Sequence, residues 1–142
     1  MKDITSVILF QIDKTSKIAK QYSQREFDKL NLGITVDQWV LLKIIEESTE
    51  LSQKELADKS SRDPASITRT LDILGKKQLT ERIAIPNNRR KYTIQLTQTG
   101  LDFIHKNIDI ISQHRRKSLE GFTIKEQNLL HEMLLKIQKN MT

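Results

Sequence analysis

Apolar residues recur at helical spacing over most of this chain. Ile4, Val7, Ile8 and Ile12 form one stripe, Leu101, Ile104, Ile108 and Ile111 a second, and Leu130, Met133, Leu134 and Ile137 a third. Start signals punctuate the pattern. Thr35 with Gln38, Ser52 with Glu55 and Thr123 with Glu126 read as capping boxes, in which two side chains satisfy free backbone N–H groups reciprocally. Asp63 before Pro64 is a fourth start, an acceptor followed by a residue whose missing N–H is harmless at the first helical position. Helices are predicted at about 3–30, 36–48, 53–60, 64–78, 98–118 and 124–140.

One region breaks the helical texture. Thr80 to Ile85 and Tyr92 to Thr97 are β-favouring runs, separated by Pro86, Asn87, Asn88, Arg89, Arg90 and Lys91. Proline pre-sets a turn and asparagine tolerates positive φ, so this reads as a hairpin with a polar, basic tip. Three helices followed by a two-stranded hairpin is the order of a winged helix-turn-helix. The expected fold is mainly α (α+β by strict count), with that hairpin as the wing and long helices on either side. The expected organisation is a single domain, 1–142, with a winged-helix lobe over 35–97 and helical regions at 1–31 and 98–142.

Those terminal helices exceed what a small lobe needs to cover its own core. Pairing with a second copy buries their stripes economically, and two-fold symmetry is the usual result. Ile4, Val7, Ile8, Ile12, Leu130, Met133, Leu134 and Ile137 are therefore the candidate dimer contacts, intramolecular packing being the competing reading.

Charge sharpens the picture. The chain carries a net +6, and residues 52–93 hold ten Lys and Arg against five Asp and Glu, a net +5. Positive charge concentrated on one small unit is what a polyanion-binding surface needs. There is no cysteine, so disulfides, thiolate ligands and thiol redox switches are excluded. The four glycines are too scattered for a phosphate-cradling loop, and no constellation supports an enzyme. No apolar run approaches the roughly 18 residues of a membrane span, which leaves a cytoplasmic protein as the expectation. His105 and His114 are nine apart, on opposite faces of one helix, and His131 lies on another, so no metal site and no cofactor is expected.

The predicted fourth helix divides by face. Ile67, Leu71 and Leu74 point one way; Ser66, Arg69, Ile73 and Lys76 point the other, flanked by Ala65, Thr68 and Asp72. Small residues at its start admit a close approach to a groove, and Arg can bond a guanine edge bidentately. Arg89, Arg90 and Lys91 are placed to reach a minor groove or its phosphates.

Four segments, in order, resemble the MarR family of winged helix-turn-helix transcriptional regulators. They are Gly33-Ile34-Thr35 with Gln38-Trp39; Leu51-Ser52-Gln53-Lys54-Glu55-Leu56-Ala57; Asp63 to Arg69 with Leu71 and Leu74; and Asn88-Arg89-Arg90 through Leu96-Thr97-Gln98-Thr99-Gly100. Two positions depart from the family pattern. Asn88 stands where relatives commonly carry an Asp two residues before an Arg, which leaves the wing more cationic. Gln78 stands where a Gly often ends the recognition helix.

The resemblance implies a homodimeric, sequence-specific DNA-binding regulator, a repressor on a pseudo-palindromic operator. The candidate DNA contacts are Ser52, Gln53, Arg62, Pro64, Ala65, Ser66, Thr68, Arg69, Ile73, Lys76, Asn87, Asn88, Arg89, Arg90 and Lys91. Many relatives release DNA when a small, often aromatic anion enters a cleft between stem and lobe; Tyr22, Trp39 and His105 either line such a cleft here or belong to the core. The competing functions are a non-specific nucleoid-type binder and a winged-helix protein-interaction module.

Overall fold

The helix starts fall where the capping signals place them. The computed structural model describes residues 3–142, the side chain of Arg89 excepted. A 3₁₀ turn at Ile4–Ser6 precedes α1 (Ile8–Lys29), α2 (Val36–Glu46), β1 (Leu51–Ser52), α3 (Gln53–Ser60), α4 (Pro64–Lys76), β2 (Thr80–Ile85), β3 (Asn88–Leu96), α5 (Gln98–Lys117) and α6 (Ile124–Met141). All three capping boxes form, and the Asp63 carboxylate accepts from the Ser66 N–H at 2.9 Å. In the third box the hydrogen bonds from Thr123 hold the Glu126 carboxyl below its usual pKa. At the N-terminus the expected continuous helix is broken, because Val7 is extended (φ −77°, ψ 125°).

Two features of the sheet go beyond the hydrophobic pattern. β3 begins at Asn88, so the turn shrinks to Pro86 and Asn87, with Asn87 left-handed at φ 69°. A register shift between Ala84 and Ile85 accommodates this, pairing Ile85 with Asn88. β1 also adds a third strand, in the antiparallel order β1-β3-β2. Two residues are too short to show alternation, yet Leu51 opposite Ile94 brings two buried side chains together.

The described chain divides into two compact units, one ending at Ile108 and one beginning at Asp109, a boundary within α5. The first holds the core: Leu41 and Ile45 from α2, Leu51, Leu56 and Ala57 around α3, Ile67 and Leu71 from α4, and Ile94. At about 25 cal/mol per Å² of apolar surface, burying each such Leu or Ile contributes roughly 1.5–3 kcal/mol. The end of α4 is a Schellman motif, with the Leu79 N–H bonding the Leu74 carbonyl at 3.0 Å and the Gln78 N–H the Gly75 carbonyl at 2.9 Å. Gln78 takes the left-handed position at φ 61°.

In the second unit, α6 has no buried residue: Leu130 and Met133 are exposed, and Leu134 and Ile137 half-buried. In the first unit Ile4, Val7 and Ile8 are likewise exposed and Ile12 half-buried.

Candidate nucleic-acid interface

α4 presents one face to the core and one to solvent. Ile67, Thr70, Leu71 and Leu74 are buried, whereas Pro64, Ala65, Thr68, Arg69, Asp72, Ile73 and Lys76 are exposed. The only carboxylate within the helix, Asp72, is neutralised by Arg82 of β2 at 3.0 Å. The exposed face is thus one unpaired guanidinium and a terminal lysine set among small and apolar groups.

The helix hydroxyls are mostly occupied internally. Arg62 turns its guanidinium back onto α4, donating from Nη2 to Ser66 Oγ and, at 3.2 Å, to Thr70 Oγ1. Its Nη1 is enclosed without a hydrogen-bond partner. Arg62, expected at the ligand surface, therefore stands half-buried as a brace across the turn into α4. Gln53, the first residue of α3, donates from Nε2 to Thr68 Oγ1 at 2.6 Å, and Thr68 Oγ1 in turn donates to the Pro64 carbonyl at 3.1 Å.

Between the start of α3 and the hairpin lies a cavity of about 390 Å³, lined by Ser52, Gln53, Lys54, Ile85, Arg90, Lys91 and Tyr92. Three cations and no carboxylate line it, so its potential is positive. Asn87 is exposed at the tip. Asn88 accepts the Arg90 N–H on its Oδ1 at 3.2 Å, so the amide oxygen supplies the acceptor at this point of the hairpin. The side chain of Arg89 lies outside the described residues. Lys54 and Tyr92 are not among the sequence candidates, although Lys54 lies in the basic segment and in the second of the four MarR-like segments.

The three residues considered for an effector cleft differ in exposure. Trp39 has none of its surface exposed; its ring meets Phe27 edge-on with centroids 6.4 Å apart and Phe103 at 6.3 Å. Two aromatic neighbours thus enclose that ring. Tyr22 is half-buried on α1. His105 is exposed on α5, its Nε2 3.8 Å from the Glu46 carboxylate, which Lys43 also meets at 2.5 Å. A separate cavity of about 380 Å³ beside the α1–α2 loop is lined by Asp28, Gln38 and Lys77 among others, and by none of these three.

An exposed helix in a helix-turn-helix, flanked by a hairpin with a cationic notch, defines a winged helix-turn-helix protein. Residues 34–92 match the family model of the MarR family. The chain is 42% identical over 73 residues to YhbI of Bacillus subtilis (strain 168), described as an uncharacterised HTH-type transcriptional regulator. That match spans 51% of this chain and 47% of YhbI, so the chain covers about half the length of this curated relative. Among solved structures it is similar to a MarR/EmrR family transcriptional regulator from Acinetobacter sp. ADP1 (TM-score 0.89, 21% identity, 99% of this chain and 98% of the other). It is also similar to a mutant MarR from E. coli complexed with operator DNA (TM-score 0.82, 23% identity, 96% and 98%). At these identities the likeness is one of fold. Among the described residues, no helix is long and apolar enough to cross a membrane.

Proposed function

We propose that this chain is a cytoplasmic, sequence-specific DNA-binding transcriptional regulator that represses from a pseudo-palindromic operator as a homodimer. The observation that carries the reading is the outer face of α4. Arg69 stands there exposed among Ala65, Thr68 and Ile73, while the one carboxylate of the helix is paired with Arg82. Arg69 supplies a fork suited to a guanine edge. Lys54, Arg90 and Lys91 supply charge to the backbone from the notch beside it. The operator DNA bound by the E. coli relative supports the same reading. Two copies related by a two-fold axis would place two α4 helices on successive half-sites and cover the exposed stripes of α1 and α6.

The test is selection of duplexes from a random pool by the full-length protein, then salt titrations of binding to the selected and scrambled duplexes. A specific regulator holds a gap of about 10³ or more between them. Equal affinities at every salt concentration would make the chain a non-specific binder. No binding to either would leave the winged helix as a protein-interaction module.

A further inference from the structure

We infer that α4 reads the 5-methyl group of a thymine through Thr68, and that Gln53 is the positioning residue that fixes Thr68 for it. The inference rests on the DNA-binding reading above and names the chemistry that the face recognises.

Threonine in a helix divides between two rotamers, because its hydroxyl can return to a carbonyl one turn earlier. In Thr68 that choice is made twice. Oγ1 donates its single hydrogen to the Pro64 carbonyl at 3.1 Å and accepts from Gln53 Nε2 at 2.6 Å. The hydroxyl thus has no hydrogen left to offer a base, and the γ-methyl is the unoccupied part of an exposed side chain. Thr70 Oγ1 likewise donates to a carbonyl one turn earlier, that of Ser66 at 3.0 Å, and accepts from Arg62, while Ser66 Oγ accepts from Arg62.

Beside the Arg69 fork and the terminal Lys76, what the helix exposes to a ligand is largely apolar: Ala65, the Thr68 methyl and Ile73. In the major groove the only apolar group on a base edge is the thymine 5-methyl, and the commonest partner for an Arg fork is guanine O6 with N7. The face matches a thymine lying close to a guanine. Gln53 belongs to α3 and also lines the cationic notch, so a phosphate held there would settle the residue that orients Thr68.

The experiment uses the duplexes that the full-length protein selects from a random pool. Each thymidine in turn is replaced by deoxyuridine, which lacks only the methyl. The wild type should lose about fourfold at one position of each half-site, the worth of one methyl group removed from water. Thr68→Val keeps a methyl and, being held to one helical rotamer by its own branching without any hydroxyl tie, should retain the preference. Thr68→Ser should bring the thymidine-to-deoxyuridine ratio close to one, and Gln53→Ala, which leaves the Pro64 bond as the one remaining tie on the Thr68 rotamer, should lower it measurably. A purely structural role for Gln53 would weaken both duplexes alike and leave the fourfold ratio intact. An unchanged ratio in Gln53→Ala overturns the positioning role, and a deoxyuridine-sensitive position that survives Thr68→Ser overturns the methyl reading. So does the absence of any sensitive thymidine. If the pool yields no enriched duplex, DNA binding itself fails, and this inference fails with it.

Discussion

A Cβ on Gly100 would stand 2.1 Å from the carbonyl oxygen of Leu79. That carbonyl follows the cap of α4 and opens β2, and it also accepts the Thr97 N–H at 3.1 Å. Thr97 ties the same joint from its side chain, donating to the Gln78 carbonyl at 2.5 Å and accepting from the Gly100 N–H at 3.0 Å. The first turn of α5 is thereby seated on the end of α4, and only a residue without a side chain permits the distance.

Gly100→Ala should accordingly destabilise the protein. The obstacle is backbone, so either α5 or the β2 start must shift, at about 1–3 kcal/mol or somewhat more. Urea unfolding followed by circular dichroism measures it. A variant with the wild-type midpoint would mean that the joint yields freely and does not fix α5 against α4.

Glycine and glutamine stand the wrong way round at the end of α4. Gln78 occupies a left-handed position at φ 61°, whereas Gly75 sits inside the helix, where a Cβ would meet nothing closer than the Thr80 carbonyl at 4.0 Å. Gly75→Ala should stabilise by about 0.5–1 kcal/mol through helix propensity. Gln78→Gly should gain a similar amount, since relief of the left-handed cost exceeds the added freedom of the unfolded chain. Thermal unfolding of both variants is the check, and a lower midpoint for Gln78→Gly would show that the Gln side chain contributes where its exposure suggests it does not.

Much of this was legible in the sequence, for identifiable reasons. Capping boxes are local chemistry, so Thr35, Ser52 and Thr123 announce helices without knowledge of the fold. The MarR resemblance marked Gly100 and the Gln78 departure, but not that Gly100 answers to Leu79, a contact between residues 21 apart in the chain. β1 was hidden because a two-residue strand has no period. Trp39 was ambiguous because burial is decided by Phe27 and Phe103, which no spacing rule connects to it. The sequence places Arg62 among the DNA contacts without showing that Ser66 and Thr70, at helical spacing, give it two hydroxyls to brace.

The exposed stripes of the terminal helices carry a prediction about assembly. Ile8 is 65% exposed and Ile137 half-buried on α6. If a second copy covers them, Ile8→Asp and Ile137→Asp each place an unpaired charge where apolar burial is needed. The dimer dissociation constant should rise at least tenfold for either variant, with the helical content of the monomer retained. Light scattering across a dilution series reports the mass. Wild-type dimer mass in both variants, with unchanged DNA affinity, would remove these helices from the interface.

Helix and hairpin should differ in what they contribute to DNA binding. Arg69 lies in the N-terminal half of the exposed face of α4, and its guanidinium has neither of the two ties that hold Arg62 and Arg82 in place. Arg69→Ala should cost about 1–3 kcal/mol on the selected duplex and relax preference at one position of each half-site. On scrambled duplex the loss should be confined to the small share due to charge. Arg90 lines the notch with Lys54 and Lys91, where charge rather than a base edge is met. Arg90→Ala should therefore weaken selected and scrambled duplexes by similar factors and flatten the salt dependence by about one unit per half-site. Asn88→Asp offers a control at the same place. The acid keeps an acceptor for the Arg90 N–H, at 3.2 Å in the present structure, while cancelling one positive charge, so it should mimic the even loss of Arg90→Ala without disordering the hairpin. Salt titrations of all three variants on both duplexes separate the roles. Should Arg69→Ala lose equally on both, with the hairpin variants showing the selective loss, base reading belongs to the wing and backbone contact to α4.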